Sequence, residues 1–338
     1  MVNISMNNEI KVSVLCLAYN HENYIRECLD SILCQKTNFK YEIIINDDAS
    51  TDNTARIIQE YENKYPKKIK AIYQKENKYS QGVSIIEECI LEKASGKYVA
   101  FCECDDKWLS ENKLQLQYNY MESHPECTMC THNTLIHDLN SIRVDTTFNS
   151  WNREHILTEK EVFMNWKVHT SSYFIKREAA YRPIQYRKYW FGDYVRLTMA
   201  YTEGSVVALP YIMSQYNYGV ISGELRTVDN SPLTVRKKKV LDRVEYLEQL
   251  DLATRGKFNK IIHKRILQIK LEAESLHARD ILRYSPNKKE VIGTAKSIIK
   301  TNAYKNYIAS LSISEKAKEL IRYRGYIIYP IWKKIWEK

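Results

Sequence analysis

The segment Glu103-Cys104-Asp105-Asp106 places three carboxylates within four residues, directly after the apolar run 98–102. Like charges this close disfavour one another unless a positive charge sits among them. A divalent cation meets that need, and a cation held by only one or two carboxylates keeps coordination positions free for phosphate oxygens. The pattern therefore suits a metal–diphosphate site at the end of a buried strand. Two further groups could serve the same chemistry. The polar turn Ala18-Tyr19-Asn20-His21 follows the apolar run 12–17, and Asp47-Asp48 follows the run 42–45. Taken alone, Asp47-Asp48 reads as a capping turn, because Asp favours N-caps. Beside a second acidic site it reads as a binding pair.

Such groups meet only if strands bring their carboxyl ends to one edge, and the first third of the chain has that pattern. Residues 12–17, 42–45, 69–73 and 98–102 read as strands. Between them, Tyr24-Ile25, Cys28-Leu29 and Ile32-Leu33 recur at helical spacing. A helix over about 52–64 follows the cap-rich stretch 46–52, and another over about 83–94 stops at Ser95-Gly96. This alternation implies an α/β domain with a mainly parallel sheet whose faces are covered. In such sheets ligands bind beyond the carboxyl ends of the strands, near a topological switch point. Further on, 110–123 reads as helix, 128–136 and 171–175 as strands, 138–156 as loop, and 194–201 as a helix headed by Gly192-Asp193. From Leu233 the pattern is almost wholly helical, with breaks near Gly256, Ser285-Pro286 and Gly325. Two domains are expected, 1–230 and 231–338.

The composition, 44% hydrophobic and 27% charged, is that of a folded soluble chain. No basic segment followed by an apolar core opens it, and no apolar stretch approaches the length of a membrane span. Eight scattered cysteines fit free thiols in a reducing cytoplasm better than a disulfide framework. Cys127-x-x-Cys130-x-His132 offers three zinc ligands, but a closed site needs a fourth and usually a second pair at set spacing. Charge is unevenly placed: residues 233–338 hold 25 of the 51 Lys+Arg but only 11 of the 41 Asp+Glu. That split suggests a catalytic part joined to a part facing a polyanion. The end of the chain, 326–338, mixes aromatic and apolar residues with lysines, which suits the headgroup region of an anionic membrane. The alternative is a helix packed on its own domain or on a second copy in a homo-dimer. Nucleic acid is disfavoured as a partner, since no recognised motif accompanies the basic residues.

The stretches 12–20, 24–33, 43–54, 96–108, 169–172 and Gly192-Asp193, in this order, resemble the family 2 glycosyltransferases, which have the GT-A fold and use nucleotide sugars. The resemblance spans about residues 10–220. It implies that Ala18, Tyr19 and Asn20 meet the nucleobase, and that Asp47 and Asp48 accept hydrogen bonds from base and ribose. It also puts Glu103 near the ribose, Cys104 on the donor side, and Mn2+ or Mg2+ on Asp105. Asp106, Trp108, His169, Thr170 and Ser171 would face the acceptor, although Trp108 reads equally as a core residue. Asp193 would be the base that takes the proton from the attacking hydroxyl. One departure stands out. Family members often carry Tyr-Arg-x-His after the base, where this chain has Tyr216-Asn217-Tyr218-Gly219.

The implied activity is inverting, metal-dependent sugar transfer from a nucleotide-sugar donor, UDP-linked by default. The acceptor would be a glycan or lipid-linked oligosaccharide at the inner face of a bacterial membrane, in surface-polysaccharide synthesis. The rival is a catalytically silent binding or scaffold subunit. A sugar-phosphate nucleotidyltransferase is disfavoured, since Ala18-Tyr19-Asn20-His21 is not a glycine-rich phosphate loop.

Overall fold

A computed structural model describes residues 9–141, 144–220, 231–278 and 287–319. The chain divides into two compact units, Met1–Thr227 and Val228–Lys338.

In the first unit the described strands are β1 Ile10–Ala18, β2 Lys40–Asp47, β3 Ile69–Tyr73, β4 Tyr98–Phe101, β5 Lys107–Trp108, β6 Cys127–Asp138, β7 Thr146–Thr147, β8 His155–Ile156, β9 Phe174–Lys176 and β10 Ser205–Tyr218. They form one sheet in the order β3-β2-β1-β4-β9-β6-β10-β5, with β7 on β6 and β8 on β10. The block β3-β2-β1-β4 is parallel throughout. Antiparallel β9 joins it to the parallel pair β6 and β10. The sheet is thus α/β in type but mixed in direction. The chain first builds outward from β1 through β2 and β3, then crosses to place β4 on the other side of β1. The topological switch point therefore lies between β1 and β4, where the acidic segment emerges.

Helix α1, Ile25–Leu33, buries Ile25, Cys28, Leu29 and Ile32, one stripe at helical spacing. These side chains share a core with Val14, Cys16, Ile43 and Ile45 from the sheet. Each fully buried Leu or Ile in that core contributes about 1.5–3 kcal/mol. Helices α2 (Thr54–Lys64) and α3 (Lys113–Ser123) add Ile57, Ile58, Leu114 and Met121 to it. At the amino ends of the strands, buried Glu42 accepts from Ser13 Oγ (2.8 Å), Ser95 N–H (2.7 Å) and Lys70 Nζ (2.6 Å), which ties β1, β2 and the approach to β4 together. Gly96 is required there, since a Cβ would lie 2.6 Å from the Ser13 nitrogen.

Further expectations from the sequence change. The stretch 138–156 is not all loop, since it holds the short strands β7 and β8. Over 83–94 the chain forms a π turn, Ile86–Ile90, and a 3-10 turn, Leu91–Lys93, rather than one regular helix. The wider turn carries Glu87 to the buried Arg182 and Arg196. The strand expected over 171–175 is only Phe174–Lys176. Thr170–Ser172 forms a 3-10 turn in which Ser172 Oγ donates to His169 O at 2.6 Å, the usual competition of Ser and Thr with strand pairing.

All eight cysteines are free thiols. Cys16, Cys28, Cys102 and Cys104 pack in the core, with Cys28 Sγ 3.7 Å from Cys102 Sγ. Cys127 and Cys130 lie in the same core. In the second unit, helices α5 (Leu233–Ala253) and α6 (Asn259–Glu274) flank Gly256, whose φ of 73° makes the turn between them. Helices α7 (Lys288–Ile298) and α8 (Asn302–Ala309) bring Ile298, Tyr304 and Tyr307 against Leu271. Helix α4, Gly192–Glu203, belongs to the first unit. The expected breaks near Ser285-Pro286 and Gly325, and the segment 326–338, lie outside the described residues.

Lys113 is fully buried, with Nζ donating to Gln117 Oε1 (2.8 Å) and standing 4.1 Å from the Trp108 ring centroid. Burial pulls its ammonium from 10.5 to about 7. Between those values the unfolded chain binds the extra proton, so this residue makes the fold gain stability as pH rises from 7 toward 10. Lys113→Met is expected to lose that gain and to be more stable than the native chain at pH 7, by up to about 4 kcal/mol. Urea unfolding of both proteins at pH 7 and pH 9 checks this; equal pH slopes would count against it.

Candidate active site

Register brings the first groups together. Ala18 pairs with Asp47. The β1–β4 pairing continues past the end of β4, through Cys102 N–H to Leu15 O (3.1 Å) and Cys104 N–H to Leu17 O (2.9 Å). The turn after β1, the turn after β2 and the acidic segment after β4 therefore leave the sheet side by side. Asn20 and Ala49 adopt φ values of 56° and 60°, a left-handed region uncommon for residues other than glycine. Cross-links hold them there. Asn20 N–H donates to Ser50 Oγ (3.0 Å), Thr51 N–H to Asn20 Oδ1 (2.8 Å), and His21 N–H to Thr54 Oγ1 (2.8 Å). Asp48 accepts the Lys78 and Tyr79 N–H groups at 2.9 and 3.0 Å, which fixes a third loop. Asp47 Oδ2 accepts from Ser50 N–H at 3.3 Å, while buried Asp47 Oδ1 and Asn46 Nδ2 have no partner. Burial raises the pKa of both Asp47 and Asp48.

The acidic segment follows the two-residue alternation of a strand. Cys102 and Cys104 point into the core, while Glu103 opens to the cleft. Asp105 and Asp106 are buried, and Asn217 on β10 holds both. Its side-chain amide donates to Asp105 O (2.6 Å) and its N–H to Asp106 Oδ1 (3.1 Å). Asp105 Oδ1 and Asp106 Oδ2 are left without partners. His21 Nε2 lies 3.8 Å from Asp105 Oδ2. Burial, then Asp105 and Glu103, push the Asp106 carboxyl far above its ordinary range. Glu103 is also raised, by its protein surroundings and then by Asp105 and Asp193, with Arg196 opposing. Glu103 keeps solvent on its open side, so crowding by like charge is the firmer of its causes. A cation would relieve this crowding, and the orphaned carboxylate oxygens suit Mn2+ or Mg2+. Among the described residues no three His, Cys, Asp or Glu side chains converge on an ion. A metal here would share its coordination with phosphate or water oxygens.

The opposite wall comes from 169–172 and from α4, Gly192–Glu203, with Asp193 in its first turn. Thr170 Oγ1 lies 3.5 Å from Asp193 Oδ2, and Tyr194 N–H donates to Asp193 Oδ1 (2.7 Å). The helix dipole favours a negative charge at this position. His169 is buried, and burial lowers its pKa to about 3. Its 3.7 Å approach to Asp106 Oδ2 is therefore that of a neutral ring, not an ion pair. Tyr216, Phe148 and Trp166 surround it, with centroids 4.4, 5.1 and 6.3 Å away. Trp166 remains half exposed.

Three residues expected at the cleft are turned inward. Cys104 packs among the core thiols. Trp108 is buried, its Nε1 donating to Ser171 O (3.2 Å), so of its two readings the core one holds. Ser171 is buried in a hydroxyl chain, 2.9 Å from Ser214 Oγ, which lies 2.9 Å from Thr134 Oγ1. Sequence reading also missed two contributors. His21 was visible only as the end of a turn. Asn217 gave no local signal, because its partners lie more than a hundred positions away.

Comparison with known proteins points one way. Residues 13–182 match the family described as Glycosyl transferase family 2. Rv1520 of Mycobacterium tuberculosis is 35% identical over 207 residues, 61% of this chain and 58% of that protein. The chain thus matches less than two thirds of that relative's length. TuaG of Bacillus subtilis, named as a teichuronic acid biosynthesis glycosyltransferase, is 41% identical over 110 residues, 32% of this chain and 41% of TuaG. Among solved structures, residues 1–349 of S. aureus TarS superpose with a TM-score of 0.57 at 18% identity, covering 94% of this chain and 88% of that one. The mannosyltransferase PcManGT from Pyrobaculum calidifontis, in complex with GDP-Man and Mn2+, gives 0.52 at 15% identity, covering 98% and 88%. At these identities the likeness to the structures is one of fold.

Beneath the cleft, buried Glu87 binds two arginines. Arg182 donates to it through Nε (2.8 Å) and Nη2 (3.0 Å), and Arg196 Nη2 and Ser84 Oγ also donate to it. Gly192 leaves room for them, since a Cβ would lie 2.9 Å from Arg182 Nη1. Burial alone would raise Glu87, but Arg196, Arg182 and Ser84 outweigh it and hold the carboxyl at about 2. The native fold therefore gains stability from this ionisation above the ordinary value of 4.5, and loses it as pH falls toward about 2. Glu87→Ala would leave two buried guanidinium groups without their counter-charge, at an expected cost of about 3–5 kcal/mol. Denaturant unfolding at pH 7 measures this; a cost below about 1 kcal/mol would contradict it.

Proposed function

The chain belongs to glycosyl transferase family 2, with a GT-A type of α/β fold followed by a helical part, and from this premise we propose that it performs inverting, metal-dependent sugar transfer. The donor is a nucleotide sugar, UDP-linked by default. The acceptor is a hydroxyl of a glycan or lipid-linked oligosaccharide in bacterial surface-polysaccharide synthesis. The observation that carries this reading is the meeting of Asp47, Asp48 and Glu103–Asp106 at the switch point of the sheet, facing a wall that carries Asp193. The name of TuaG supports the polysaccharide role. Complexes of TarS with UDP-GlcNAc and of PcManGT with GDP-Man and Mn2+ support a nucleotide-sugar donor and a divalent ion.

In this reading the turn Ala18–Asn20 and the unpartnered Asp47 Oδ1 meet the base and ribose, with Glu103 on the ribose side. Asp105 would hold Mn2+ or Mg2+, which when bound neutralises charge on the departing diphosphate as a Lewis acid. Asp106, held by Asn217, faces the sugar. Asp193 accepts the proton of the acceptor hydroxyl while Thr170 steadies its carboxylate. A single displacement with the base opposite the leaving group inverts the anomeric centre. His169 and the exposed face of Trp166 border the acceptor side. No helix among the described residues is long and apolar enough to cross a membrane. Contact with an anionic membrane, or with a second copy, is assigned to the basic second unit.

Transfer assays with purified protein, nucleotide sugars and Mn2+ test this function, and nucleotide binding with neither transfer nor donor hydrolysis would favour a silent binding subunit. Asp193→Asn should lower turnover by about 10²–10⁴-fold, the scale of general-base catalysis, while leaving nucleotide-sugar affinity nearly unchanged. Turnover close to native would remove Asp193 from the base role. Asp105→Asn should weaken Mn2+-dependent UDP binding at least about tenfold, or 1.4 kcal/mol. Calorimetry with and without Mn2+ reads this directly, and an unchanged metal effect would refute the assignment.

A further inference from the structure

His21 has no assigned role, yet it is the nearest imidazole to the carboxylate proposed to hold the ion. Its backbone is fully committed. The N–H donates to Thr54 Oγ1 at 2.8 Å, and the carbonyl accepts from Tyr24 and Ile25 at 2.9 Å, which starts α1. The side chain takes no part in those bonds. It is nine-tenths buried, its Nδ1 has no partner, and its Nε2 lies 3.8 Å from Asp105 Oδ2. Asp105 in turn is buried with a free Oδ1, and its backbone is fixed by Asn217. Two buried groups thus face each other through Nε2 and Oδ2 from rigid turns, while the other ring nitrogen and the other carboxylate oxygen have no partner.

Their spacing is near that of a shared ion. Two ligands about 2.1 Å from one octahedral metal lie roughly 3.0 Å apart when adjacent and roughly 4.2 Å apart when opposite. The observed 3.8 Å lies between the two, so a shared ion needs a small turn of one side chain, which the broad terminal torsions of Asp and His allow. A direct hydrogen bond would need a closer approach.

We propose that His21 is a second protein ligand, beside Asp105, for the divalent cation of this site, a role that presupposes the metal-dependent transfer described above. An imidazole–carboxylate pair explains how an ion can be held where, among the described residues, no third His, Cys, Asp or Glu converges, phosphates and water filling the remaining positions. It also bears on the choice of ion, since an imidazole ligand disfavours Mg2+, which prefers oxygen ligands throughout. The turn after β1 thereby joins the metal site to the nucleobase turn Ala18–Asn20.

The test uses the full chain, Mn2+, and whichever of UDP and GDP raises its melting temperature. Pulsed electron paramagnetic resonance of bound Mn2+ should show coupling to a directly bound nitrogen that changes on 15N-histidine labelling. In His21→Gln that coupling should vanish, Mn2+ affinity in the presence of nucleotide should fall about tenfold, and the preference for Mn2+ over Mg2+ should narrow. Metal-free nucleotide affinity should stay native, which shows that the variant is folded. The spectrum of the native chain decides the question even if His21→Gln fails to fold. Bound Mn2+ without histidine nitrogen coupling, or coupling that survives in His21→Gln, overturns the role of His21 and leaves the transferase reading standing. Failure of Mn2+ to bind with either nucleotide overturns both.

Discussion

Parallel pairing of β1 with β2 on one side and β4 on the other is the constraint from which the site follows. It aligns Ala18 with Asp47 and continues past β4 to Cys104, so three separate turns open at one edge. A slip of one residue in either pairing would turn the outward groups inward, because side chains alternate along a strand. The cost of this arrangement is electrostatic. Carboxylates from two turns and a helix end face one cleft, and several are buried. Two features offset that cost within the protein. Asn217 supplies hydrogen bonds to the acidic segment, and the cluster of Glu87 with Arg182 and Arg196 carries more positive than negative charge below it. The rest is left for a cation.

Much of this was legible in the chain itself. The apolar runs 12–17, 42–45, 69–73 and 98–102 each fall within or at the edge of an observed strand, and the acidic groups follow their carboxyl ends. Local pattern sufficed there because strand placement depends on neighbouring residues. The alternation Cys102, Glu103, Cys104, Asp105 also separated core from cleft. Read strictly, it would have kept Cys104 out of the donor site.

What could not be read arises from contacts between distant segments. The π turn at Ile86–Ile90 makes sense only once Arg182 and Arg196 are in place, about a hundred residues on. The family resemblance places Ser171 and Trp108 on the acceptor side. They are instead satisfied by each other and by Ser214. A buried tryptophan N–H needs a partner as much as a sugar needs a platform, and sequence does not tell the two uses apart.

The strand that carries Asn217 has a consequence for how the chain can vary in length. β10 follows β6 from Ser205 to Tyr218, but its register shifts between Leu209 and Ile212 and again before Ser214. Those irregular residues decide which side chain of β10 arrives opposite Asp105 and Asp106. Deleting one of them would advance the strand by a position and turn the amide of Asn217 to the far face. The spacing from Leu209 to Asn217 is therefore as much a requirement of the acidic site as the carboxylates themselves. A designer who trimmed those bulges to regularise the sheet would disarm the cleft without touching a single acidic residue.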